Sequence, residues 1–128
     1  MKKDLVSIRY IVNDVQESID FYCKFLEFEV LNNAAPAFAD VARGQLRLLL
    51  SGPLSSAARP MPDGRQPVAG GWNRIHLVVS DIEAMVDKLR ARGQIVFRND
   101  IMTGPGGSQI VFDDPSGNPI ELFQPASR

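Results

Sequence analysis

The sequence predicts an α+β domain assembled from two βαβββ modules. Three observations carry this. First, a strand-to-helix segment occurs twice: Ile8-Arg9-Tyr10-Ile11-Val12-Asn13-Asp14-Val15 aligns with Ile75-His76-Leu77-Val78-Val79-Ser80-Asp81-Ile82. Second, each copy leads into an amphipathic helical pattern and then three short strand candidates. Third, 128 residues is the length of one domain, enough to bury a core without disulfides or metal staples.

In the first module, alternation puts Ile8, Tyr10 and Val12 on one strand face and Ser7, Arg9 and Ile11 on the other. Asp14 is placed to cap the following helix, because its carboxylate can accept free N–H groups of the first turn. Glu17 stands at capping-box spacing from it. The helix turns Val15, Ser18, Ile19, Tyr22 and Leu26 to one side, and Phe21 and Tyr22 read as core. Strands are predicted at 28–31, 37–42 and 45–51. Residues 52–71 hold Pro53, Pro60, Pro62 and Pro67, and read as either a linker or a lid.

In the second module, Ile75, Leu77 and Val79 share a face opposite Arg74, His76 and Val78. Asp81 caps a helix whose apolar side is Ile82, Met85, Val86 and Leu89, and Gly93 stops it. Strands are predicted at 95–98, 109–113 and 119–124. The last two are joined by the turn residues Asp114-Pro115-Ser116-Gly117-Asn118. Aligning Leu46-Arg47-Leu48 with Ile120-Glu121-Leu122 puts the extra residues of the second half near 100–107. The expected organisation is a single domain over 1–128, with modules at 4–51 and 72–125. Each helix covers an apolar sheet face bearing Ile8, Tyr10, Leu46, Leu48, Ile120 and Leu122. The opposite faces then border a cavity, and chemistry belongs there.

Composition narrows the function. A net charge of −1 lacks the cationic excess that phosphate neutralisation needs, so no nucleic-acid partner is expected. No apolar run spans a bilayer, so no membrane partner is expected. Asp4, Ser7 and Arg9 interrupt the apolar stretch after Lys2 and Lys3, which makes a poor secretory signal. The single cysteine, Cys23, reads as a small buried helix residue. Together these point to the cytoplasm.

Two motifs add a resemblance. Val12-Asn13-Asp14-Val15-Gln16-Glu17-Ser18-Ile19-Asp20-Phe21-Tyr22 is similar to the V-x-D-x-x-x-S-x-x-F-Y signature of the vicinal-oxygen-chelate superfamily, which includes glyoxalases, bleomycin-resistance proteins and extradiol dioxygenases. Asp114-Pro115-Ser116-Gly117-Asn118-Pro119-Ile120-Glu121-Leu122 is similar to its D-P-x-G-N-x-I-E-L ending. With the second strand–helix unit, the resemblance covers nearly all of the chain outside its middle segment. It implies a cup-shaped mixed sheet (the glyoxalase/bleomycin-resistance/dihydroxybiphenyl dioxygenase fold), a homodimer and a small-molecule ligand in an inter-module cavity. Metal-dependent members hold one divalent ion through a side chain from the first and last strand of each module. The resemblance carries those positions onto Ser7, Arg74, Arg47 and Glu121. Of these only Glu121 is an ordinary ligand, since a guanidinium stays protonated and repels the ion. His76, the only histidine, lies two residues past the position taken by Arg74. The expectation is therefore no metal and no cofactor.

The face opposite the helices is expected to carry the ligand site: Ser7, Arg9, Arg47, Arg74, His76, Gln109, Glu121 and Phe123, with Leu49 and Val111. In one reading Arg47 or Arg74 pairs with Glu121 and replaces the ion by a salt bridge. In another, surplus positive charge recognises an anionic ligand, and the two can coexist. If a reaction is catalysed, His76 and Glu121 are the catalytic candidates, His76 as acid/base and Glu121 as a fixed anion. The bland reading of His76 is a hydrogen-bonded wall residue. Gly104-Pro105-Gly106-Gly107 reads as a flexible connector, lacking the strand–loop–helix context of a phosphate loop. Trp72 either caps the cavity or packs at the module boundary. The expected function is binding of a small polar or anionic molecule without a metal. The alternatives are a lyase or isomerase using His76, and a metal-dependent glyoxalase or extradiol dioxygenase.

Overall fold

The computed structural model describes residues 4–127. Its contacts divide into two compact units, Met1–Gly70 and Gly71–Arg128. The first contains β1 (Val6–Ile11), α1 (Val15–Phe25), β2 (Glu29–Ala34), β3 (Phe38–Arg43) and β4 (Leu46–Ser51), in a sheet of order β1-β4-β3-β2. β1 runs parallel to β4, and the other neighbours are antiparallel. α1 starts where the capping residue dictates: the Asp14 carboxylate accepts the Glu17 N–H at 3.0 Å, and Ser18 Oγ donates back to the Asp14 carbonyl at 2.8 Å. The helix buries Val15, Ser18, Ile19, Phe21, Tyr22 and Phe25 against the sheet face bearing Leu48, Leu50 and Val41. Fully buried Phe21 and Tyr22 meet edge to face. The cover is incomplete, because α1 packs on β2, β3 and β4. Ile8, expected under the helix, is 37% exposed, and Leu46 is only half-buried. After β4 the chain bends sharply at Gly52, where a Cβ would lie 2.7 Å from both the Pro36 carbonyl oxygen and a Val15 methyl. Residues 52–70 then form turns, including a 3₁₀ turn at Ser56–Ala58 and a loop closed from the Met61 N–H to the Arg65 carbonyl at 2.8 Å.

The second unit repeats the plan with β5 (Ile75–Val78), α2 (Ile82–Arg92), β6 (Met102–Gly104), β7 (Gly107–Asp113) and β8 (Pro119–Pro125), in the order β5-β8-β7-β6. Asp81 caps α2 through the Ala84 N–H at 3.0 Å, while Gln124 Oε1 accepts the Ile82 N–H at 2.8 Å. Gly93, at φ 79°, ends the helix in a conformation that costs a glycine nothing. The core is Ile75, Leu77, Ile82, Val86, Leu89, Ile110, Phe112, Ile120 and Leu122.

Three sequence expectations are corrected. Residues 95–98 do not form a strand. They make one antiparallel bridge, Phe97 to Phe112, and the chain pairs as a strand only at β6. Asn99 causes the interruption: its side-chain oxygen accepts the Val111 N–H at 2.8 Å, replacing a backbone acceptor. The extra residues of the second half are not concentrated near 100–107. The β3–β4 hairpin closes at Arg43 and Leu46, whereas β7 and β8 are joined by the wider Asp114–Asn118 turn, built on Asp114 Oδ1 accepting the Ser116 and Asn118 N–H groups at 2.9 Å. The alignment of the last strands also moves by two residues. Tyr10 pairs with Leu50 and Leu77 with Leu122, so the position equivalent to Glu121 is Leu49, not Arg47.

Candidate functional site

In each unit the strand face away from the helix carries the charge. In the first, Ser7 stands beside Arg47 and Arg9 beside Leu49. Arg47 takes its carboxylate from its own sheet. Its Nε and Nη2 bind Asp40 Oδ2 at 2.7 and 2.6 Å. Asp40 is fully buried, and its Oδ1 has no hydrogen-bond partner among the described residues. Sequence reasoning missed Asp40. The signal was available in the tight Gly44-Gln45 turn, which fixes the hairpin register and sets Asp40 across from Leu49, on the face of Arg47. Arg9 Nη1 donates to the buried Ser51 hydroxyl at 2.8 Å, and among the described residues no carboxylate pairs with it. Ser7 is exposed.

In the second unit, adjacent strands bring His76 opposite Glu121, and Glu121 opposite Val111. Glu121 is 8% exposed. Its Oε1 accepts Arg74 Nε at 3.0 Å and Nη2 at 2.9 Å, while Arg74 Nη1 is held by the Trp72 carbonyl at 3.1 Å. Glu121 Oε2 lies 3.4 Å from His76 Nε2, a polar contact longer than a good hydrogen bond. The half-exposed His76 ring leans on Phe123 with centroids 5.1 Å apart. Phe123 pairs with Gln109, which pairs with Met102. Beside this row lies a recess of about 270 Å³ lined by Met102, Thr103, Gln109, Phe123 and the glycines 104, 106 and 107. The glycine-rich turn, which reads in sequence as a flexible connector, lines this recess. Trp72 is 69% exposed and stacks on the Arg98 guanidinium at 4.5 Å. Arg98 is spent on structure, bonding Asp113 Oδ1 at 2.6 Å, the Gly71 carbonyl at 2.6 Å and the Gly117 carbonyl at 3.2 Å.

These residues do not fit a divalent ion. One oxygen of Glu121 is saturated by a guanidinium, the equivalent position in the first unit is Leu49, and Ser7 and Arg74 stand at the first-strand ligand positions. His76 and Glu121 alone are too few donors. Among the described residues, no group of three His, Cys, Asp or Glu side chains is placed to hold a metal. No described helix is long and apolar enough to cross a membrane.

Comparison with known proteins gives the setting. A solved member of the glyoxalase/bleomycin resistance protein/dioxygenase superfamily from Sphaerobacter thermophilus is 31% identical, with TM-score 0.73, over 94% of this chain and 95% of that one. TnmS3, an antibiotic binding protein from Streptomyces, is 26% identical with TM-score 0.65, over 98% of this chain and 97% of that one. A lactoylglutathione lyase from Agrobacterium tumefaciens shares the fold at 16% identity and TM-score 0.71, over 97% and 95%. No curated protein sequence gives a significant match. The sequence profile of the Glyoxalase/Bleomycin resistance protein/Dioxygenase superfamily matches residues 4–122, and with two four-stranded βαβββ units behind that match, the chain belongs to this superfamily.

Proposed function

We propose that this protein binds a small polar or anionic molecule on its strand faces, without a divalent ion. One observation carries the reading: among the described residues Arg9 is bonded to a hydroxyl and to no carboxylate, on a face where the buried Asp40 is already paired with Arg47. Arg9 is exposed, and the Ser51 hydroxyl positions its guanidinium while leaving other N–H donors open to an anionic ligand group. The 26% identity to a protein that binds an antibiotic also supports binding over reaction. The reading includes a cytoplasmic homodimer. Leu5, Val6 and Ile8 are exposed along the edge strand β1, where an apolar partner surface would remove them from water.

Two measurements test it. Elemental analysis of protein purified without chelator is expected to show metal far below one equivalent; near-stoichiometric Zn, Ni, Mn or Fe would overturn the metal-free part. In an NMR titration with small carboxylates, the Arg9 and Ser51 resonances are expected to move, and Arg9→Gln to weaken the response about tenfold, or about 1.4 kcal/mol. Unchanged affinity in that variant would overturn the anionic part. A second reading, proton transfer by His76, is favoured by its contact with Glu121 Oε2, which would orient the ring. His76→Gln with unaltered turnover of any identified substrate would remove it.

A further inference from the structure

We infer that the recess beside β6 and β7 takes a flat heteroaromatic ring whose edge offers an adjacent hydrogen-bond donor and acceptor, such as a lactam. The inference rests on the small-molecule reading above and names the ligand class for the second unit. Its argument is shape first. Gly104, Gly106 and Gly107 give the recess a floor without side chains. Gly107 is required there: a Cβ would overlap the Gln124 carbonyl oxygen and lie 2.8 Å from Phe123 Cζ. The absence of that Cβ lets the Phe123 ring reach across β7, which makes a flat aromatic wall. The His76 ring already supports Phe123 at 5.1 Å. Met102, 57% exposed, supplies a deformable thioether that packs well on ring edges.

Polarity comes second. Gln109 stands between Phe123 and Met102 in the cross-strand row. Its carboxamide is half-buried and makes no hydrogen bond among the described residues. An amide presents one donor and one acceptor side by side, and the matching ligand edge presents the reverse pair. No charged side chain lines the recess among the described residues, and Arg74 and Glu121 on the same sheet neutralise each other, so this recess selects a neutral polar ring rather than a free ion.

The site also contains its own control. At Gly104, which shares the Met102 face of β6 by strand alternation, an added Cβ meets nothing within 4 Å. Gly104→Leu therefore fills the recess without straining the fold. The probe is quinolin-2(1H)-one, a fluorescent bicyclic lactam, titrated against the whole protein beside its fully saturated decahydro analogue. The lactam is expected to bind and the saturated compound to bind about tenfold more weakly, the size of an aromatic stacking contribution. Gly104→Leu is expected to abolish binding, and Gln109→Leu to weaken it about tenfold. Equal affinity for the two compounds, or binding that survives Gly104→Leu, would overturn the inference. So would absence of lactam binding while carboxylates still move Arg9, and in that case the broader binding reading stands. Lactam binding with no carboxylate response at Arg9 supports the ring site and removes the anionic one.

Discussion

In residues 1–70 the guanidinium of Arg47 on β4 binds Asp40 on β3. In residues 71–128 the guanidinium of Arg74, just before β5, binds Glu121 on β8. Both units thus place an Arg–carboxylate pair on the face away from the helix, but at positions the repeat does not relate. The first pair sits within a hairpin around an acid that water does not reach. The second ties the incoming chain to the last strand and leaves one carboxylate oxygen near a half-exposed histidine. The backbone plan and the apolar helix face are shared, because both modules must solve the same packing problem. The polar face is under no such demand, so its charges differ. That difference leaves Arg9 with no carboxylate partner among the described residues in the first unit, and a glycine-floored recess in the second.

The largest expected effect tests this contrast directly. Asp40→Ala leaves Arg47 without a partner and opens space in a closed site, at a cost of about 3 kcal/mol; a buried pair broken from one side costs more, but Arg47 keeps 36% of its side chain in water. Glu121→Ala should cost about 1 kcal/mol, because Arg74 retains the Trp72 carbonyl and the Glu121 side chain keeps 10% of its surface in water where that of Asp40 keeps none. Urea unfolding midpoints measure both. Equal losses would mean that the two pairs do the same work, and the comparison would fail.

The shared part was legible and the differing part was not. Alternation at Ile8, Tyr10, Ile75 and Leu77, and the caps Asp14 and Asp81, foretold both strand–helix units, since local periodicity and capping are set by neighbours in sequence. The pairing of Arg74 with Glu121 was one of the readings. Arg47 went astray because Leu46-Arg47-Leu48 and Ile120-Glu121-Leu122 look alike, while true equivalence is decided by pairing with β1 and β5. A two-residue slip keeps the same face and preserves the apolar pattern, so periodicity cannot detect it. The recess was invisible for a related reason. Its walls, Met102, Gln109 and Phe123, come from three strands, and the break at Asn99 follows from a side chain replacing a backbone acceptor.

A smaller effect concerns the hairpin tips. In the first unit β2 and β3 close on Ala34 and Phe38; in the second β6 and β7 close on Gly104 and Gly107. Side chains thus occupy one tip and leave the other bare. Gly107→Ala should lose about 2 kcal/mol, because its Cβ would strike the Gln124 carbonyl oxygen at φ 148°. Gly104→Ala should change stability by less than about 0.5 kcal/mol. Thermal melts compare them, and a mild Gly107→Ala would show that the strands do not approach so closely there.

The smallest effect compares the helices. Cys23 in α1 stands where the repeat puts Arg90 in α2, and Arg90 instead covers the Phe97 ring at 5.4 Å. Burial pushes the Cys23 thiol above its ordinary range, and the Asp20 carboxylate one turn earlier adds to the shift. Both favour the neutral thiol, so less thiolate is available to react than in an unfolded chain. Alkylation by iodoacetamide near pH 8 should run slower than in urea, and its rate should keep rising with pH after the unfolded thiol has levelled off. The sign for stability follows. The unfolded thiol ionises first, so the stabilising contribution is full below the unfolded value and is lost as pH rises through the folded one. Asp20→Asn should quicken alkylation modestly by removing the second cause. If that variant alkylates no faster than wild type, burial alone sets the thiol, and the contrast between a half-buried Cys23 and an exposed Arg90 is one of packing and not of charge.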